Sequence, residues 1–140
     1  MFNLFDLERI KAWKEFRHSL ETSQQPLLDV ADFWAQAPFV NNYMQDIQPS
    51  QWPGPWDLVL TDNLDDLAIV LGMCYSLKLT KRFSNSLCEI HKSAIDKKVF
   101  RYFLAVDSLF VLNLEYRNIA TYEELRTQNS YLLWTCPSLR

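Results

Sequence analysis

The chain has 140 residues, 49% of them apolar and 14% aromatic, with a net charge of −3 and a pI of about 5.3. At this length roughly 68–70% of the unfolded surface can be buried, so one domain over residues 1–140 is expected and a disordered chain is excluded. Only two glycines are present, Gly54 and Gly72. A Rossmann or P-loop phosphate cradle, which needs glycines at fixed spacing, is therefore excluded as well.

The 14 basic residues are scattered. The densest runs, Lys78–Lys81–Arg82 and Lys97–Lys98–Arg101, read as a solvated helix end and a strand turn, which argues against nucleic acid as a partner. A stacking mode on single strands would need aromatics interleaved with basic residues, and only the stretch 97–102 offers that. The three cysteines, Cys74, Cys88 and Cys136, include no CxxC pair. This is the usage of a reducing compartment, with thiols packed as small apolar groups, and it points to a soluble, cytoplasmic protein. Residues 1–20 are interrupted by charges and lack the apolar stretch of a secretory leader. No segment approaches the roughly 20 apolar residues of a membrane span, so no membrane is expected as a partner.

A first helix is expected over about residues 3–21, with Asn3 as cap and Phe2, Phe5, Ala12, Trp13, Phe16 and Leu20 as its apolar stripe. A second begins at Pro26 and stops at Pro38. Residues 41–60 carry Tyr43, Met44, Ile47, Trp52, Trp56 and three prolines, so they are expected to form an irregular loop held by its indoles. The third helix, about 62–79, is capped by Thr61 or Asp62, with Asp65 and Asp66 in its first turn. Leu64, Leu67, Ala68, Leu71 and Tyr75, widened by Val70, Met73, Cys74 and Leu77, make it apolar on most sides and hence central and buried.

The pattern then changes to strands. Leu87–His91 and Val99–Val106 come first, followed by a two-residue turn at Asp107–Ser108 and the run Leu109–Leu114, which reads as a hairpin. Ile119–Thr121 leads into a short helix with Thr121 as cap and Glu124 three residues on. Tyr131–Thr135 is a last strand. The expected class is α+β: N-terminal helices packed on a small antiparallel sheet, with one buried central helix followed by strands.

Catalytic constellations are thin. Asp57, Asp62, Asp65 and Asp66 crowd within ten positions, and on the third helix Asp62 and Asp66 would share a face. Such a group could hold a hard cation, but the helix dipole already accounts for acids there. No metal or cofactor is expected. Cys88 and His91 are three apart in a strand and point to opposite faces. His18 and His91 have no motif around them, so no nucleophile–base pair can be assembled.

The run Val106–Tyr116 resembles the strand–turn–strand of transglutaminase-like (papain-like) cysteine hydrolases. Asp65-Asp66-Leu67-Ala68 resembles the helix of that family that begins at the catalytic cysteine. The resemblance covers residues 61–116. It implies Asn113 in place of the aspartate that orients the histidine, Leu64 in place of the cysteine, and Phe100 or Tyr102 in place of the histidine. It therefore implies the fold without the chemistry. Pro55-Trp56-Asp57-Leu58 followed by the Asp65–Ala68 helix is also similar to small uncharacterised proteins of tailed phages and marine bacteria, which implies a phage-related accessory role.

Two functions are thus expected to compete. One is a non-enzymatic interaction or accessory protein that binds a protein partner or a second copy through Trp13, Trp52 and Trp56. The other is a small hydrolase or transferase whose site lies at the start of the third helix, where Asp62, Asn63, Asp65 and Asp66 meet the Trp-rich loop and Asn113.

Overall fold

A computed structural model describes residues 1–38, 48–62, 64–94 and 100–139. Tyr43, Met44, Ile47, Asn63 and Lys97–Lys98–Val99, which entered the expectations above, lie outside them. The element order is α1 (Asp6–Leu20), α2 (Pro26–Trp34), a 3-10 turn (Pro49–Gln51), α3 (Pro55–Leu60), α4 (Asp66–Lys78), β1 (Cys88–Ala94), β2 (Phe100–Val106), β3 (Phe110–Leu112), β4 (Ile119–Thr121), α5 (Tyr122–Arg126) and β5 (Tyr131–Thr135). The strands form one antiparallel sheet in the order β4-β3-β2-β1-β5, so the α+β class is as expected.

The hairpin connection is three residues long, Asp107–Leu109, one more than expected, and within it Asp107 and Ser108 both take positive φ (55° and 54°), the backbone that matches strand twist in a tight hairpin turn. The turn closes with Leu109 N–H donating to Val106 C=O at 3.1 Å, and Val106 faces Phe110. β4 pairs with β3 where the sequence suggested only a lead into α5. The α5 cap is as read, with Thr121 Oγ1 accepting from Glu124 N–H at 3.3 Å.

α4 packs against β1 and β2 and against α1, α2 and α3. Every residue from Val70 to Lys78 is buried, which is why its apolar positions run round the helix. The opposite face of the sheet carries a smaller cluster of Phe103, Ala105, Val111, Ala120 and Leu125 beneath α5.

Several local expectations are corrected. α1 begins at Asp6 rather than about residue 3, with Phe5 in the cap position. Phe2 instead packs on Phe33 and Trp34, while Phe5 is exposed. The proline-rich stretch is not wholly irregular. Pro55 stands in the first turn of α3, where its missing N–H costs nothing. α4 is capped by neither Thr61 nor Asp62. Asp65 is the cap, its Oδ1 accepting from Ala68 N–H at 2.9 Å. Lys78 is not solvated: it is buried, and its ammonium donates to the carbonyls of Ser84 (2.8 Å) and Ser86 (2.9 Å).

The helical layer is joined at Ser76. Its hydroxyl accepts from Trp13 Nε1 (3.0 Å) and Trp34 Nε1 (2.9 Å) and donates to Gly72 C=O (2.8 Å). Ser76→Ala would leave two buried indole N–H groups unpaired at about 1–3 kcal/mol each. A total loss of about 2–6 kcal/mol is expected in urea unfolding followed by tryptophan fluorescence. A change within about 0.5 kcal/mol, typical of a surface site, would remove Ser76 from this role. Gly72 is the companion position, because a Cβ there would lie 2.4 Å from Trp34 Cη2. Gly72→Ala should cost about 1–3 kcal/mol through overpacking in the same assay. A neutral result would mean that the Trp34 ring can give way.

Candidate functional site

The start of α4 meets the sheet where the β2–β3 ladder ends. The last pair is Leu104 with Leu112, and beyond it the chain turns away at Asn113, whose φ is 71°. Asparagine is among the few residues that tolerate this left-handed backbone. Tyr102, two residues beyond the last pair on β2, would be left with an unpaired backbone N–H and C=O. Asp66 Oδ2 accepts from that N–H at 2.9 Å, and Asn113 Nδ2 donates to that C=O at 2.9 Å. Asn113 Nδ2 also donates to Asp66 Oδ1 at 2.9 Å. Arg101 reaches the Asn113 carbonyl through its guanidinium. Side chains thus stand in for the missing rung of the ladder.

This group borders a cavity of about 230 Å³ lined in part by Trp34, Ile69, Met73, Asp66, Asn113 and Arg117. An Arg117–Asp32 ion pair (3.0 Å) spans from the loop after β3 to α2. Its two members are roughly half exposed, so it contributes little. Burial pushes the Asp66 carboxyl above its ordinary pKa, opposed by the bonds from Asn113 and Tyr102 and by the charge of Arg101.

The structure brings the six expected site residues together only as two separate pairs, Asp66 with Asn113 and Trp13 with Trp56. Asp62 lies apart, paired with Arg9 at 3.0 Å. It does not share a helix face with Asp66, because it precedes the cap. Arg9 is the functional-looking residue that the sequence did not disclose. It is buried, and it donates to the carbonyls of Phe2, Leu4, Val59 and Thr61, binding the N-terminal segment to the end of α3. Its only forewarning is an arginine in line with the apolar stripe of α1, four residues after Phe5 and four before Trp13.

The tryptophans do not form one surface. Trp13, expected as a binding anchor, is fully buried and spent on Ser76, so that role is withdrawn. Trp56 is 47% exposed and stands edge-on to Trp13 at 5.3 Å. The Arg17 guanidinium lies 4.4 Å from the Trp13 ring centre and 5.0 Å from that of Trp56. Trp52 is half-buried, edge-on to Trp134 at 5.2 Å, and Tyr75 holds its loop by donating to Pro53 C=O at 2.7 Å. Cys88 and His91 point to opposite faces as expected, Cys88 into the main core and His91 toward the Tyr122 ring. Burial lowers the His91 pKa, and its Nε2 has no hydrogen-bond partner among the described residues.

A second concavity, of about 380 Å³, runs between the start of α2 and the β2–β3 turn. Leu27, Leu28, Phe83, Val106 and Ile119 line it. Leu109 (61% exposed) and Phe110 (45%) stand on its lip, with Gln24, Gln25 and Asp107 as polar neighbours. Leu87, also exposed, is tied to the turn through Asp107.

Among the described residues no group of three or more His, Cys, Asp or Glu has the arrangement to hold a metal ion, and no helix is long and apolar enough to cross a membrane. Compared with family models, curated proteins and solved structures, the chain gives no match in any of the three.

Asp66 supplies a test of this geometry. Its folded pKa is raised, so the folded state holds the proton more tightly than the unfolded state, whose aspartate pKa is about 3.9. The contribution is fully present below that value and is lost as pH rises through the folded pKa. The stability of the wild type relative to Asp66→Asn should therefore decline as pH rises from about 4 and level off once the carboxyl is ionised. Urea unfolding across a pH series measures this, and a difference that grew with pH would mean that the bonds outweigh burial.

Proposed function

We propose that this is a non-enzymatic accessory protein that binds an apolar segment of a protein partner in the groove between α2 and the β2–β3 turn. The observation that carries the reading is the apolar lining of the groove together with the exposed Leu109 and Phe110 on its lip. Isolated exposed leucines need no explanation, but a contiguous apolar concavity with a polar rim is the form of an interaction site. Its volume falls within the range of ligand clefts, about 300–1,000 Å³. The proposal accords with the transglutaminase-like resemblance, which would put Leu64 at the nucleophile's place and Phe100 or Tyr102 at the base's and so implies a scaffold without its chemistry. The similarity of the Pro55–Leu58 and Asp65–Ala68 runs to small phage proteins suits an accessory role in a phage-infected cytoplasm.

A small hydrolase or transferase at the start of α4 is the second reading. One observation favours it: a carboxyl with a raised pKa, that of Asp66, borders a cavity. Against it, both oxygens of Asp66 already accept hydrogen bonds that complete the sheet.

One titration separates the two. Apolar peptides, amphipathic and extended, are added to the labelled chain and amide shifts are followed by NMR. Movement at Leu27, Leu28, Leu109, Phe110 and Ile119 is expected. Burial of one large apolar side chain contributes about 1.5–3 kcal/mol, so Leu109→Asp should weaken binding about tenfold or more. The exposed position should leave folding intact. Shifts confined to Asp66, Ile69, Asn113 and Arg117 would transfer the site to the α4 cavity, and no shift with any peptide would defeat the groove reading.

A further inference from the structure

Basic side chains converge where the end of α1 meets the chain leaving α4. Lys14, Arg17 and His18 of α1 and Lys81, just beyond α4, line a cavity of about 220 Å³ together with Glu21 and Thr80. The three α1 residues share a face because they are three and four positions apart.

The charges around this cavity differ in what they are bound to. Lys78 and Arg82, which flank Lys81 in sequence, are held by carbonyls: Lys78 by Ser84 and Ser86, Arg82 by Leu20 and Ser23. The Glu21 carboxylate accepts from Lys81 N–H (2.9 Å) and Arg82 N–H (3.0 Å), so the turn after α4 already seats one anion on its backbone. The side chains of Lys14, Arg17, His18 and Lys81 make no hydrogen bond or ion pair among the described residues.

Arg17 stands out among them. Its guanidinium lies against the Trp13 and Trp56 rings, which leaves the residue half-buried and encloses Nε without an acceptor among the described residues. Burial opposes its charge and lowers its pKa below the ordinary arginine value. A desolvated cation is normally paired or hydrogen-bonded, because its burial is otherwise costly. The helix dipole favours basic residues at the end of α1. It accounts neither for a guanidinium without an acceptor nor for Lys14, whose neighbours three and four positions away along α1 are Ile10, Lys11, Arg17 and His18. An anion entering the cavity meets the full positive charges of Lys14, Arg17 and Lys81 against the single negative charge of Glu21, which the backbone already satisfies. That balance suits a dianion. The cavity is smaller than the clefts of about 300–1,000 Å³ that enclose whole ligands, so it fits the charged end of one.

We propose that this cavity binds the phosphoryl group of a small, soluble phosphate monoester, with Arg17 as its forked donor and Lys14 and Lys81 as flanking charges. His18 adds a ring N–H at the rim. The chain as a whole carries a net charge of −3, so general attraction does not draw an anion here, and the local arrangement has to do so.

The test is an amide NMR titration of the full chain with inorganic phosphate and with glycerol 3-phosphate, set against sodium chloride at equal ionic strength. Saturable shifts at Arg17, His18, Glu21, Thr80 and Lys81 are expected with both phosphates and not with chloride. One hydrogen bond to a charged group is worth about a factor of ten, so Arg17→Gln should weaken binding about tenfold or more. Lys14→Gln combined with Lys81→Gln should do the same, and both positions are exposed, so folding should be unaffected. Arg126→Gln removes one charge from the exposed face of α5 and should leave the affinity unchanged. Equal shifts in chloride, shifts spread over all basic residues, or an equal loss in Arg126→Gln would reduce the effect to general charge and overturn the site. Unchanged affinity in the Lys14 and Lys81 double variant would overturn it even if Arg17→Gln failed to fold. Sedimentation of the chain with phosphatidylcholine vesicles containing phosphatidic acid, without binding of glycerol 3-phosphate, would overturn the soluble ligand and assign the phosphoryl group to a lipid.

Discussion

The hydroxyl of Ser76 is the point on which the helical half of the protein depends. It accepts two hydrogen bonds and donates one, which is the full capacity of a hydroxyl. Through it a residue of α4 satisfies the indoles of both α1 and α2 inside an apolar layer. Without it, burying Trp13 and Trp34 would leave each indole N–H unpaired at a cost of about 1–3 kcal/mol. Gly72, one turn earlier, completes the arrangement by leaving bare backbone where the Trp34 ring lies. The packing of three helices therefore follows from two small residues spaced four apart on the most buried helix.

The acids before and within α4 divide their work in a similar way. Asp62 neutralises the buried Arg9, Asp65 caps the helix, and Asp66 turns to the sheet and supplies the acceptor that β3 withdraws at Asn113. Each carboxylate has its own donors, so the crowd in the sequence is not a shared acid–base pair. Asp66 accepts the cost of burial in order to pair a strand N–H. That places a raised carboxyl beside a cavity for a structural reason, and it explains why a perturbed acid in a concavity is a probabilistic pointer and not a site by itself.

What was legible in the sequence follows from what short-range patterns encode. The apolar positions of 64–77 recur at helical spacing all round, so the burial of α4 could be read directly. The turn at Asp107–Ser108 and the cap at Thr121 are local chemistry and were equally readable. The start of α4 was misplaced because Thr61, Asp62 and Asp65 can all cap, and the choice was made by Arg9, more than fifty positions away, which claims Asp62. The inward turn of Lys78 was hidden for the same reason: its acceptors are carbonyls of a loop that only the fold brings round. Trp13 was misjudged because an aromatic stripe looks the same whether it faces a partner or the Ser76 hydroxyl. The backbone bond from Cys136 N–H to Cys88 C=O depends on the β1–β5 pairing, a contact without a local signature.

The buried polar groups bear on function through what they leave uncommitted. Arg9, Asp65, Ser76 and Lys78 are each bound to backbone or to one another's helices, and Asp66 with Asn113 completes a strand. A reacting substrate would have to displace these bonds, and each one broken would leave a buried donor or acceptor unpaired. The groove beside Leu109 and Phe110 has the opposite property. Its lining is apolar, so an incoming apolar side chain displaces only water and breaks no hydrogen bond of the fold. On the proposed reading the α2 groove is therefore the place to engage another molecule, while the start of α4 resists change because the sheet depends on it.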